Sequence, residues 1–166
     1  MPDPAFTLTL DQRKLQAFAR QMKREGNGKE LRRDFVRNIK AALEPAVADA
    51  KSSIMQMDSA GLAHEGEPLR RAIARRLAVK VKLSGRSTGA AVRAGRRGMP
   101  RGFEHAPKRT NRQHWRHRVY GADVWVTQTG EPRWFDDAMK RRRDECRAAV
   151  KKAMADMARR LTHRGI

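Results

Sequence analysis

The spacing of apolar residues predicts two helices in the first third of the chain. Positions i, i+3, i+4 and i+7 form the stripe of a first helix, which Asp11 can cap: Leu15, Phe18, Ala19 and Met22. Gly26-Asn27-Gly28 ends this helix, because glycine tolerates the left-handed conformation of a C-cap. A second stripe predicts a helix from about Lys29 to Met57, with a kink or break at Pro45, which lacks a backbone donor.

The apolar period changes from helical to strand-like near residue 78. Pro68 opens a short third helix, and after it Val79, Val81 and Leu83 alternate with lysines. A turn at residues 84–87 and a second alternating run, Ala90, Val92 and Ala94, complete a first antiparallel hairpin. Residues 95–114 are rich in Gly, Pro and Arg, which predicts a long exposed loop.

A second hairpin is predicted at residues 115–128. An arm from Trp115 reaches a turn at Gly121-Ala122-Asp123, and the return arm places Val124, Val126 and Gln128 on one face and Trp125 and Thr127 on the other. Trp134 and Phe135 follow as an aromatic hinge before a final helix. That helix is expected over 136–162, capped by Asp136 or Asp137 and ended by Gly165.

These elements predict an α+β fold with N-terminal helices, a small antiparallel sheet of two hairpins and a long C-terminal helix. Residues 1–10 are interpreted as an N-terminal arm and residues 11–166 as a single domain. Within it we expect helices over 11–77, the sheet with its basic loop over 78–128, and the last helix. Only 5% of residues are aromatic, so the core relies on Ala, Val, Leu, Ile and Met.

Positive charge concentrates in residues 78–118, called here the basic segment. The whole chain carries a net charge of +20, and this segment holds twelve Lys and Arg residues against one acid, Glu104. The candidate basic loop within it consists of Arg93, Arg96, Arg97, Arg101, Lys108, Arg109 and Arg112. Such a surface indicates a polyanionic partner, and without a base-reading motif it would contact a nucleic-acid backbone irrespective of sequence.

Little in the sequence indicates catalysis. Cys146 is a single thiol on the inward side of a helical stripe, so a buried structural role is favoured over a metal–thiolate site. His114 and His117 lack nearby acids, which disfavours both a metal pair and a nuclease-like toxin with a histidine base. We expect no enzyme activity, no cofactor and no bound metal. The N-terminus resembles no signal peptide and no apolar run would span a membrane, so a cytoplasmic place of synthesis is expected.

The second hairpin resembles the tail-completion or head–tail joining proteins of phages with long, non-contractile tails (siphoviruses), a family of tail terminator-like minor tail proteins. The likeness rests on Trp115-Arg116-His117, Val119-Tyr120-Gly121, Trp125-Val126-Thr127-Gln128, Pro132 and Trp134-Phe135. Arg118 stands where the family commonly has Pro. The order of elements from Asp11 to Leu161 is also similar.

The resemblance implies a structural virion protein that completes the tail and joins it to the head connector. Its subunits would form a homo-oligomeric ring, commonly six-fold, between the tail tube protein and the connector or stopper protein, with genomic DNA passing through the lumen. The implied place is the tail–head interface of the virion. The implied assembly motif comprises Trp115, His117, Tyr120, Gly121, Trp125, Gln128, Trp134 and Phe135. The alternative from charge alone is a sequence-nonspecific nucleic-acid-binding protein.

Overall fold

The computed structural model describes residues 5–8, 12–58, 67–85, 88–118 and 123–163. The elements in chain order are β1 (Ala5–Leu8), α1 (Gln12–Arg24), α2 (Gly28–Gln56), α3 (Leu69–Arg75), β2 (Leu77–Lys82), β3 (Gly89–Ala94), α4 (Ala106–Arg109), β4 (His114–Arg118), β5 (Trp125–Thr129) and α5 (Trp134–Thr162). The predicted α+β fold, with its N-terminal helices, two hairpins and long C-terminal helix, is confirmed.

The two hairpins belong to separate sheets, whereas the sequence analysis expected one small sheet made of both. The first sheet has three strands in the order β1-β3-β2, and the second consists of β4 and β5. Strand β1 comes from the segment interpreted as an N-terminal arm. In the central strand β3 the successive residues Ala90, Ala91 and Val92 are all buried, so side chains on both of its faces are covered, whereas the sequence analysis expected alternation.

Glycine separates α1 from α2, but for a different reason from the one expected. Neither Gly26 nor Gly28 adopts a left-handed φ. Instead, a Cβ at Gly28 would lie 2.0 Å from the carbonyl oxygen of Met22, so the tight turn leaves no room for a side chain. Farther along, the sequence predicted a kink or a break at Pro45; α2 runs through this residue without a break, and the kink stays a prediction.

Packing divides the chain into two compact units, while the single domain expected for residues 11–166 stays a prediction. The first unit comprises Met1–Ala5, Val47–Ala78 and Arg93–Arg141, and the second comprises Phe6–Ala46, Val79–Val92 and Arg142–Ile166. In the second unit most residues of the predicted helical stripes are buried, Phe18 and Met154 are half-buried, and Cys146 is fully buried as expected. Among the described residues no helix is long and apolar enough to cross a membrane.

The first unit includes the segment that was predicted to be a long exposed loop, and that prediction was wrong in part. Residues 106–109 form α4, and Met99, Ala106 and Thr110 are buried. Gly98 and Gly102 adopt positive φ angles of 79° and 81°, which allows a tight turn on either side of Met99. The buried residues are too few and too irregularly spaced to produce a periodic signal, which is why the sequence pattern did not predict them.

Candidate functional site

The second hairpin presents two chemically different faces. Strands β4 and β5 are antiparallel, with Trp115 opposite Gln128, Arg116 opposite Thr127, His117 opposite Val126 and Arg118 opposite Trp125. Because side chains alternate along a strand, two sets of residues result. The inner face carries Trp115, His117, Val126 and Gln128, and the outer face carries Arg116, Arg118, Trp125 and Thr127. Tyr120 and Gly121, two predicted motif residues, lie outside the described residues.

An aromatic cluster holds the inner face against the rest of the first unit. Trp115 is only 7% exposed, and the ring of Phe103 meets it edge-on at 6.2 Å between centroids. Phe103 also lies 4.9 Å from the ring of His117, and the guanidinium of Arg109 lies 5.8 Å from the indole of Trp115. Phe103 and Arg109 therefore fix the orientation of β4.

Both ring nitrogens of His117 make hydrogen bonds within the hairpin. Its Nδ1 lies 2.8 Å from the carbonyl oxygen of Arg118, which can only accept, so Nδ1 carries the proton. Its Nε2 lies 3.3 Å from Nε2 of Gln128 and accepts from that amide. His117 and Gln128, two predicted motif residues, thus couple the strands across the inner face.

The start of α5 was misplaced by the sequence analysis. Trp134 and Phe135 are the first residues of the helix and not a hinge before it, and Asp136 and Asp137 lie in its first turn. The acceptor for the backbone N–H of Phe135 is the Oδ1 of Asn111, at 3.1 Å. Asn111 also donates from Nδ2 to Asp136 at 2.9 Å, so one loop side chain binds the helix start twice.

Trp134 connects this helix start to the segment before β4. Its side chain is 2% exposed, and its Nε1 donates to the hydroxyl of Thr110 at 3.3 Å. The Thr110 hydroxyl in turn donates to the carbonyl oxygen of Ala106 at 2.9 Å. Trp134 and Phe135 pack edge-to-face, with ring centroids 5.6 Å apart. The predicted motif residues Trp134 and Phe135 therefore stabilise the junction between the start of α5 and the segment before β4, called here the base of the hairpin.

Gly130 directly follows β5 and lies against the segment that precedes β4. Its N–H donates to the carbonyl oxygen of Gln113 at 2.9 Å, and a Cβ there would lie 2.3 Å from the carbonyl oxygen of Arg112. Only glycine fits this close approach of two backbone segments. The sequence analysis did not single out Gly130, Asn111 or Thr110, because each acts on a segment distant in sequence.

The outer face exposes an indole beside two guanidinium groups. Trp125 is 53% exposed, and the guanidinium carbons of Arg116 and Arg118 lie 5.6 Å and 5.9 Å from its ring centroid. Arg118 also forms an ion pair with Asp123. This surface is apolar and cationic, and the buried Trp115 on the inner face behind it holds it in place.

The predicted basic loop is distributed over several elements. Arg93 lies on β3, Lys108 and Arg109 lie on α4 and are half-buried, and the irregular segments carry exposed Arg96, Arg97, Arg101 and Arg112. Among the described residues, no ion pair is found for Arg93, Arg97, Lys108 or Arg112.

Glu104 is the one acid of the basic segment, and its carboxylate accepts hydrogen bonds from the backbone of its own loop. Hydrogen bonds from the backbone N–H groups of Glu104 and Gly102 hold the pKa of this carboxyl below its usual value, the first bond having the larger effect. The carboxylate therefore stays negatively charged at any pH above this lowered pKa, and its hydrogen bonds hold it within the loop. Within the described residues no group of three or more His, Cys, Asp or Glu side chains is arranged to hold a metal ion.

Comparison of the chain with protein families, with curated proteins and with solved structures finds no match.

Proposed function

We propose that the protein is a structural subunit of a phage virion that completes the tail and joins it to the head connector, as part of a homo-oligomeric ring around the DNA channel. In this role it acts by contact with other macromolecules and not by catalysis. Its partners are further copies of the chain, the tail tube protein, the connector or stopper protein, and the genomic DNA.

The observation that carries the proposal is the outer face of the second hairpin. Trp and Arg are enriched among the residues that contribute most to macromolecular contacts, and here the guanidinium groups of Arg116 and Arg118 lie near the ring of Trp125, half of whose surface is free. Trp115 and Phe103 hold the hairpin from behind, so little ordering is required on binding. Trp115, Arg116 and Trp125 belong to the residues on which the resemblance to tail-completion proteins rests, whereas Arg118 departs from the family pattern.

A second candidate is a sequence-nonspecific nucleic-acid-binding protein outside any virion. It is favoured by the charge of the basic segment and by the absence of ion pairs at Arg93, Arg97, Lys108 and Arg112 among the described residues. Phosphate contacts by such side chains give affinity without base readout.

Deletion of the gene from a phage that carries it is expected to block virion completion. Electron microscopy of the lysate should then show filled heads beside free tails of normal length, because both parts assemble before they are joined. Tails of uncontrolled length would assign the protein to tail termination instead. Normal, infectious virions in that lysate would contradict the structural proposal and leave the nucleic-acid role as the stronger candidate.

A further inference from the structure

We infer that the outer face of the second hairpin binds the sugar–phosphate chain of nucleic acid, with an unpaired base stacked on Trp125. The inference goes beyond the proposed function and deepens the second candidate, because it names the surface that binds a nucleic acid with unpaired bases. It concerns residues within one compact unit.

Geometry supports the stacking part of the inference. Trp115 and Trp134 are 7% and 2% exposed, whereas Trp125 is 53% exposed, so it is the indole that a ligand can reach. Arg116 and Arg118 leave the same face of β4 two residues apart, beside that ring. A base on the indole would place its flanking phosphates within reach of guanidinium groups, the arrangement by which single strands are bound without sequence preference.

Charge distinguishes this ligand from an acidic protein. From Arg93 to Arg118 the chain carries nine Lys and Arg residues and one acid. An elongated polyanion can meet many of these cations at once, and the release of its counterions favours binding. Asp123, paired with Arg118, is an acid on the same surface and reduces its charge.

Tryptophan fluorescence reads this site directly. The probes are a fluorescein-labelled single strand of twenty thymidines, a fluorescein-labelled duplex of the same length and of random sequence, and poly-L-glutamate. The single strand should quench the emission of Trp125. The anisotropy of the labelled strand should give an affinity that Trp125→Ala weakens at least about fivefold, the lower range for loss of one base–aromatic stack.

Matched variants separate stacking from charge. Trp125→Phe should keep most of the affinity but lose the quenching, because the ring remains while the exposed indole is gone. Arg116→Gln should reduce the slope of log affinity against log salt by about 0.7, whereas Arg32→Gln, on an exposed position of α2, should leave the slope at its parent value. Asp123→Asn should tighten binding, since it removes the acid beside Arg118.

Thermal unfolding of Trp125→Ala and Arg116→Gln should match that of the parent chain, because both side chains are exposed. Unchanged affinity in Trp125→Ala, or binding without quenching, would place the nucleic-acid contact elsewhere and overturn the inference. So would equal quenching by the duplex, quenching by poly-L-glutamate alone, or no binding of either oligonucleotide. None of these results alters the tail phenotype of the gene deletion, so failure here and failure of the proposed function are distinguishable.

Discussion

Replacement of Trp134 by alanine should lower the free energy of unfolding by about 3–5 kcal/mol, the usual cost of removing a fully buried Trp. The side chain is 2% exposed and packs edge-to-face on Phe135. Its loss opens a cavity at the start of α5 and removes the donor to Thr110. Denaturant unfolding followed by far-UV circular dichroism measures the change.

Trp134→Phe is the matched control. It keeps an aromatic ring in the core but loses the hydrogen bond to Thr110 and part of the buried volume, so its cost should be smaller than that of Trp134→Ala, with about 1 kcal/mol of it from the bond. Equal stability of Trp134→Ala and the parent chain would contradict the assignment of Trp134 to the base of the hairpin.

Gly130→Ala is the second substitution with a large expected effect. The new Cβ would lie 2.3 Å and 2.5 Å from the carbonyl oxygens of Arg112 and Thr110, well inside van der Waals contact. Both obstacles are backbone atoms, so no side chain can turn away to relieve the clash. We expect the free energy of unfolding to fall by about 3 kcal/mol or more, because the segment before β4 must shift to relieve the clash.

Gly26→Ala tests whether the effect of Gly130→Ala is local. No atom lies within 4 Å of a Cβ at Gly26, and its φ is not left-handed, so this variant should unfold close to the parent chain. Similar unfolding midpoints for both glycine variants would refute the close approach at Gly130.

The periodicity of apolar residues was sufficient to predict the long helices and both hairpins. The stripe from Leu31 to Met57 predicted α2 to within one residue at each end. Alternation correctly placed Val126 and Gln128 on one face of β5 and Trp125 on the other. It failed for the start of α5, because Asp136 and Asp137 look like caps while the acceptor is Asn111, 24 residues from Phe135.

The exposure of each hairpin face could not be predicted from the hairpin alone. Alternation defines two faces, but which one is buried depends on Phe103 and Arg109, from a segment without periodic signal. Strand β1 was missed for a related reason. Its four residues form a strand because they pair with β3, which is distant in sequence. A run of four residues carries no periodic pattern that would distinguish a strand from an extended arm.

The most direct test of the central claim, that the outer face is the working surface of a virion joining protein, is complementation of the gene deletion. The parent gene and the Arg32→Gln variant, supplied in trans, should restore infectious titre. The folded Trp125→Ala protein should leave filled heads and unattached tails in the lysate, because Trp125 is exposed for contact and not for folding. Full restoration of titre and of joined virions by Trp125→Ala would contradict the account.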